Sequence, residues 1–192
     1  LSRKLRVWFP GAIYHITSRG NRRSVIFFDD FDRVVYLELL EETRQAYPFH
    51  LLAYCLMDNH VHLQIETIDD HPKDIMKMIN SRYAIYLNKR YEQVGHVFQG
   101  RYGSEMIVST DYLLDVNRYI HLNPVEAQMV RSPQDYPWSS YLAYLSDTYV
   151  SPIPIQTTKV LTLFPKPQIE NYCKFVEDIP VPDPHNINAV KH

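Results

Sequence analysis

The chain has 192 residues, 45% of them apolar and 22% charged, with a formal net charge of −2. That length supports one domain with a sizeable core plus an appendage, and the composition is that of a globular chain rather than a disordered one. A slightly acidic total argues against broad, non-specific nucleic-acid binding, which draws on a basic face, and no apolar run reaches the ~18 residues of a membrane-spanning helix.

The start, Leu1–Arg6, is basic, and no apolar stretch of the kind found in a secretory leader follows it. Cys55 and Cys173 are far apart and form neither a disulfide framework nor a Cys-x-x-Cys zinc pattern, so a cytoplasmic protein with reduced thiols is expected. Tyr14–Arg19 reads as a first strand, and the basic run Arg19-Gly20-Asn21-Arg22-Arg23 follows it. Residues 1–30 also hold Arg3, Lys4 and Arg6 against Asp29 and Asp30, so a basic groove is compatible with the acidic total. Asp30 to Tyr47 reads as a helix that Pro48 ends. His50–Met57 is a second strand, Asp58-Asn59 a two-residue turn whose residues tolerate left-handed backbone, and His60–Glu66 a third strand. Pro72 opens a helix to about Tyr91, with Ile75, Met78, Ile79, Tyr83, Tyr86 and Leu87 at helical spacing. Arg101–Val108 is a fourth strand. Thr110 or Asp111 is expected to cap a last long helix with Leu113, Val116 and Ile120 on its apolar side, and Pro124 to stop it. From Ser146 onward prolines at 152, 154, 165, 167, 180, 182 and 184 interrupt the chain, with one short helix at Gln168–Glu177. The expected division is a domain over residues 1–145 and a Pro-rich appendage over 146–192, its last ten residues disordered.

The order β-α-β-β-α-β, then α, predicts an α+β fold with a ferredoxin-like antiparallel sheet and helices packed on one face. The third strand is then central. His60-Val61-His62-Leu63-Gln64-Ile65-Glu66 alternates with period two, so His60, His62, Gln64 and Glu66 share a face and Val61, Leu63 and Ile65 share the other. Two imidazoles about 7 Å apart on one strand face can converge on one metal ion, although a bare His-x-His also arises by chance on a solvated face. On the last helix Tyr119 and Asn123 are four apart and share a face about 6 Å apart along the axis. A phenol and a carboxamide presented together suit metal-assisted phosphoryl transfer, with Asn as a further ligand and Tyr as a nucleophile. His121 lies two residues from Tyr119 and so faces away from it. His15, on the first strand, can neighbour the histidine pair. Tyr102 could stack on a base, and Lys89 and Arg90 are weaker phosphate candidates.

Six segments in order resemble the HUH-type single-tyrosine transposases, and the REP-associated tyrosine transposase branch in particular. They are Gly11-Ala12-Ile13-Tyr14-His15-Ile16, Asn21-Arg22-Arg23, Met57-Asp58-Asn59-His60-Val61-His62-Leu63, Gly95 to Tyr102, Tyr119-Ile120-His121-Leu122-Asn123-Pro124-Val125 and Trp138-Ser139-Ser140-Tyr141. Many members of the wider family carry Gln four residues after the tyrosine; Asn123 matches the REP-associated branch. The resemblance implies Tyr119 as nucleophile, His60, His62 and Asn123 as metal ligands, and Mg²⁺ or Mn²⁺ as the metal. Residue type alone also permits Zn²⁺ or Co²⁺. It implies cleavage and rejoining of single-stranded, hairpin-forming DNA through a 5′-phosphotyrosine, by a monomer or a homodimer. Arg19, Asn21, Arg22, Arg23 and Arg101 are the candidate DNA contacts, since Arg and Asn suit phosphates and base edges. A domesticated relative that binds hairpin DNA or RNA without cutting it is the alternative. A phosphodiesterase that uses water is a third reading, which leaves the Tyr–Asn pair unexplained.

Overall fold

Strand β1 (Ile13–Arg19), helix α1 (Asp30–Ala46), strands β2 (Phe49–Met57) and β3 (His60–Thr67), helix α2 (Pro72–Arg90), strand β4 (Gly103–Ile107) and helix α3 (Thr110–Glu126) follow one another in the expected order. The computed structural model describes residues 7–178, so the expectation of disorder in the last ten residues lies outside the described range. The four strands pair antiparallel in the order β2-β3-β1-β4, which makes β3 an interior strand of the expected ferredoxin-like α+β sheet. Asp58 and Asn59 form the tight connection between β2 and β3.

Side-chain alternation decides what each sheet face meets. Ile16, Val61, Leu63 and Ile65 point into a core closed by α1 and α2, through Tyr36, Leu40, Ile75, Ile79 and Tyr83. The other face carries His60, His62 and Gln64 on β3, and α3 lies across it. Strand β2 is apolar on both sides. Leu51, Tyr54 and Leu56 enter the first core, while Leu52, Ala53, Cys55 and Met57 enter a second one with Val116 and Ile120 of α3. A near-continuous apolar strand is what a sequence needs when both of its faces are covered. The segment 136–140 runs beside β2, with Leu56 N–H donating to Trp138 C=O and Ser139 bridging Cys55, and so shields that edge from pairing with another chain.

Helix α3 departs from expectation at both ends. Its N-cap is Ser109, whose Oγ accepts the Tyr112 N–H at 3.2 Å, rather than Thr110 or Asp111. It also runs through Pro124 to Glu126. A proline this near the end removes one backbone donor but leaves carbonyls to accept: Ala127 N–H reaches Asn123 C=O, and Met129 N–H reaches Pro124 C=O. The helix ends where Gln128 turns left-handed at φ 58°. Asn123 therefore keeps a helical position, on one face with Tyr119.

Past Ser146 the chain does not stand apart. Helix α6 (Gln168–Glu177) packs on α3, and the short helices α4 (Leu142–Leu145) and α5 (Thr158–Leu161) pack on α6. Tyr144, Val160, Leu161, Tyr172 and Val176 complete the second core. Among the described residues no helix is long and apolar enough to cross a membrane.

Candidate active site

Both histidines of β3 face α3, with ring centroids 4.9 Å apart. Asn123, almost fully buried, brings Oδ1 to 3.4 Å from His60 Nε2. One turn earlier on the helix, the half-buried Tyr119 sets its ring edge-on to His62 at 5.3 Å and to His15 at 5.9 Å between centroids. The strand pair and the helix pair thus meet within one chain. They are joined by His15, which β1 places beside β3: His15 Nε2 and His62 Nδ1 are 2.9 Å apart.

Hydrogen bonding shapes the donor set. Asn59 Nδ2 donates to Arg23 C=O at 3.2 Å, which leaves its Oδ1 to accept from His60 Nδ1 at 2.6 Å. His60 then carries its proton on Nδ1 and presents a lone pair at Nε2. Burial holds the His60 pKa below its ordinary value, partly countered by Asn123, and nearby Arg19 pushes it further down. With its proton on Nδ1, the ring turns the Nε2 lone pair toward Asn123 Oδ1, and a cation between the two would satisfy both. In the same way His15 takes up Nδ1 of His62, so Nε2 is the atom that would ligate. These residues fit a divalent metal with mixed nitrogen and oxygen donors, supported by outer hydrogen bonds that orient the rings. Among the described residues there is no cluster of three or more His, Cys, Asp and Glu side chains placed to hold a metal. The third donor would be the Asn123 amide oxygen.

A buried polar chain fixes how α3 sits. Gln64 Nε2 donates to Leu113 C=O at 2.9 Å, and Asn117 Nδ2 donates to Gln64 Oε1 at 2.8 Å and to Tyr144 Oη at 3.1 Å. Tyr172 of α6 donates to Asn117 Oδ1 at 2.7 Å. That spends the Tyr172 proton, so His121 Nδ1–H donates to its Oη at 2.7 Å, and His121 Nε2 accepts from Ser140 Oγ at 2.7 Å. Every member is buried, and the network ties β3, α3, α4 and α6 together. Its links to the tail and to Ser140 were not legible in the sequence, where His121 shows only that it faces away from Tyr119.

Full burial drives the His121 pKa from 6.5 down to about 3. The unfolded chain therefore takes up this proton at a higher pH than the folded one. Stability from this residue is complete above about pH 6.5 and falls as pH drops toward 3, by about 1.4 kcal/mol per pH unit. At about pH 4.5 the loss is roughly 3 kcal/mol. His121→Asn, which retains a donor for Tyr172, should lower stability at neutral pH yet remove this part of the acid sensitivity. Urea midpoints of both proteins at the two pH values measure it, and equal acid losses would show that His121 is not the group responsible.

The basic candidates gather at one end of the sheet. Arg19 pairs with His60 across β1 and β3. Gly20 turns the chain where a Cβ would collide with the Ser24 carbonyl oxygen. Arg22 and Arg23 follow with left-handed backbone, φ 52° and 61°. Asn21 N–H donates to Val97 C=O and Gln99 N–H to Arg19 C=O, both at 2.8 Å, so the segment that leads to Arg101 lies against the basic turn. Arg19, Arg22, Arg23 and Arg101 are exposed, and Asn21 is half-buried. Arg90 is already engaged: its guanidinium donates to Asp32 and Asp29, each at 2.6 Å.

The model of the family described as IS200-like transposases matches residues 9–123, a span that holds all four residues that meet at the site. This chain belongs to that family. A Haemophilus influenzae protein classed provisionally as a REP-associated tyrosine transposase is 24% identical over 153 residues, covering 73% of this chain and 86% of that one. A solved structure described as a REP-associated tyrosine transposase bound to a REP hairpin superposes with a TM-score of 0.65 at 19% identity, over 82% of this chain and 94% of the other. At that identity the superposition speaks for the fold. The Haemophilus influenzae relative is classed in the same REP-associated branch that Asn123 and the other motifs resemble.

Proposed function

We propose that this IS200-like transposase cleaves and rejoins single-stranded, hairpin-forming DNA through a covalent tyrosine intermediate. The observation that carries the reading is the meeting of Tyr119 with His60, His62 and Asn123 in one chain, two of them with lone pairs turned to one point. The hairpin is suggested by the solved relative described as bound to one. Tyr119 attacks the phosphorus. A phenolic O–P bond forms, the P–O3′ bond breaks, the phenolic proton leaves and the departing 3′ oxygen gains one. The products are a 5′-phosphotyrosine and a free 3′-OH, and attack by another 3′-OH reverses the step without ATP. A divalent metal, Mg²⁺ or Mn²⁺, held by His60, His62 and Asn123 would polarise the scissile phosphate and offset its growing charge. Asn59 and His15 orient the two imidazoles. The face shared by Tyr119 and Asn123 sets the phenol beside the histidines of its own chain, which supports action in cis. Residues 1–145 are assigned as the transposase domain, and 146–192 as an appendage whose helix α6 braces α3.

The test is capture. Labelled hairpin DNA with a single-stranded flank, incubated with protein and Mn²⁺, is expected to yield a covalent complex that survives denaturation. A protein that binds the hairpin but never forms that complex would be a domesticated binder instead.

Arg19, Asn21, Arg22, Arg23 and Arg101 are proposed to hold the DNA. Replacing Arg22 and Arg23 together by Ala should weaken hairpin binding and flatten the slope of log affinity against log salt by roughly 0.9 for each phosphate that the variant no longer neutralises. Titrations at several salt concentrations measure the slope. A slope equal to that of the parent protein would put this turn outside the DNA site.

A further inference from the structure

The net charge of −2 conceals an uneven surface. Beside α1, Glu38, Glu41 and Glu42 line a groove with Trp138. The opposite sign collects on α2. Lys73, Met76, Lys77, Asn80, Ser81 and Ala84 recur every three or four residues and form one stripe of that helix. The segment 95–102 faces the stripe, and the two enclose a pocket of about 400 Å³. Phe98 and Tyr102 contribute aromatic walls, and Arg101 joins the lysines. Neither this pocket nor the adjoining cavity of about 180 Å³, which reaches Asn21 and Arg22, has an Asp or Glu in its lining. Arg33, Arg44, Arg82, Arg90 and Lys159 are tied to carboxylates, whereas Lys73, Lys77 and Arg101 are exposed and take part in none of the ion pairs among the described residues.

The pocket lies next to the candidate active site. Arg19 pairs with His60 on one side and its carbonyl accepts the Gln99 N–H on the other, while Gly20 bridges Phe98. Two strand spacings, about 10 Å, therefore separate the His60 backbone from that of Phe98 and Gln99. Asn80 adds a polar point. Its Nδ2 donates to Ser18 Oγ at 3.0 Å, and its buried Oδ1 has no protein partner.

We propose that this pocket holds one unstacked nucleotide of single-stranded DNA, its base against Phe98 and Tyr102 and its phosphates against Lys73, Lys77 and Arg101. A base has flat apolar faces and a polar edge, and a nucleotide brings the negative charge that this lining lacks. Stacking on aromatic walls is sequence-tolerant, so oligo(dC) serves as the probe. The proposal rests on the DNA-cleavage reading above and adds to it where the strand next to the scissile phosphate goes.

The test uses the full chain and single-stranded oligo(dC) that carries 5-iododeoxycytidine, photocrosslinked and mapped by mass spectrometry. The crosslink should fall on Phe98 or Tyr102. Ala84→Leu fills the pocket with a residue that helices favour, so the melting temperature should hold while oligo(dC) binding weakens about five- to a hundredfold and the crosslink is lost. Replacing Lys73 and Lys77 together by Ala should lower the single-strand salt slope by roughly 0.7 for each phosphate that the variant no longer neutralises. Crosslinks elsewhere, or parental oligo(dC) affinity in folded Ala84→Leu, overturn the pocket; if covalent capture of hairpin DNA persists in the same preparations, the cleavage reading stands without it. Parent protein that captures no hairpin DNA and binds no oligo(dC) overturns both.

Discussion

Tyr119→Phe should abolish covalent capture and cleavage of single-stranded DNA and leave hairpin affinity and thermal stability close to those of the parent. The substitution removes one hydroxyl and keeps the ring that lies edge-on to His62 and His15. Loss of a nucleophile lowers turnover by at least roughly a thousandfold in enzymes that act through one. Among the described residues, Tyr119 is the tyrosine whose ring packs on His15 and His62. Tyr172 and Tyr144 are fully buried in the polar network behind α3, and Tyr112 donates to Glu105 at 2.8 Å. Denaturing gels after incubation with Mn²⁺ show the result directly. An adduct that persists in Tyr119→Phe would move the chemistry to another residue.

Metal removal should have an effect of similar size. Chelation is expected to stop cleavage, and Mn²⁺ to restore it. Binding is also readable without activity: at a hundredfold excess over its dissociation constant, a metal that binds only the folded state stabilises it by about 2.7 kcal/mol. Parent protein should show that shift in its melting transition on addition of Mn²⁺, and His60→Ala should not. Asn123→Ala should need more metal for the same shift, because one of the three proposed ligands is gone. His62→Ala carries a cost of its own. His15 Nε2 would lose its partner in a buried position, which removes about 1–3 kcal/mol of stability. His60, half-buried and bonded to Asn59 on the rim, should cost less. Equal melting shifts in parent and His60→Ala would place the metal elsewhere.

Local periodicity carried much of this protein. The two-residue alternation of β3 determined that His60 and His62 share a face, and the 3.6-residue turn determined that Tyr119 and Asn123 do. Turn and capping residues marked out the element order, and with it the sheet. Each of these depends on neighbours a few positions away, which is why it is visible in a linear chain. The ends of α3 were misjudged because a proline near a helix terminus removes so little, and the capping preference of Ser109 is shared by Thr110 and Asp111. The tertiary structure alone decided the rest. His15 reaches His62 across 47 positions, Asn123 reaches His60 across 63, and Tyr172 reaches Asn117 across 55. No repeat in the sequence encodes such distances. They arise because β1 pairs with β3, because α3 returns over the same face, and because the Pro-rich tail folds back to fill the second core. Local pattern thus put the candidate residues on common faces and the family resemblance picked them out, whereas their meeting in one chain, and the buried network that holds α3 in place, came from burying both faces of the sheet.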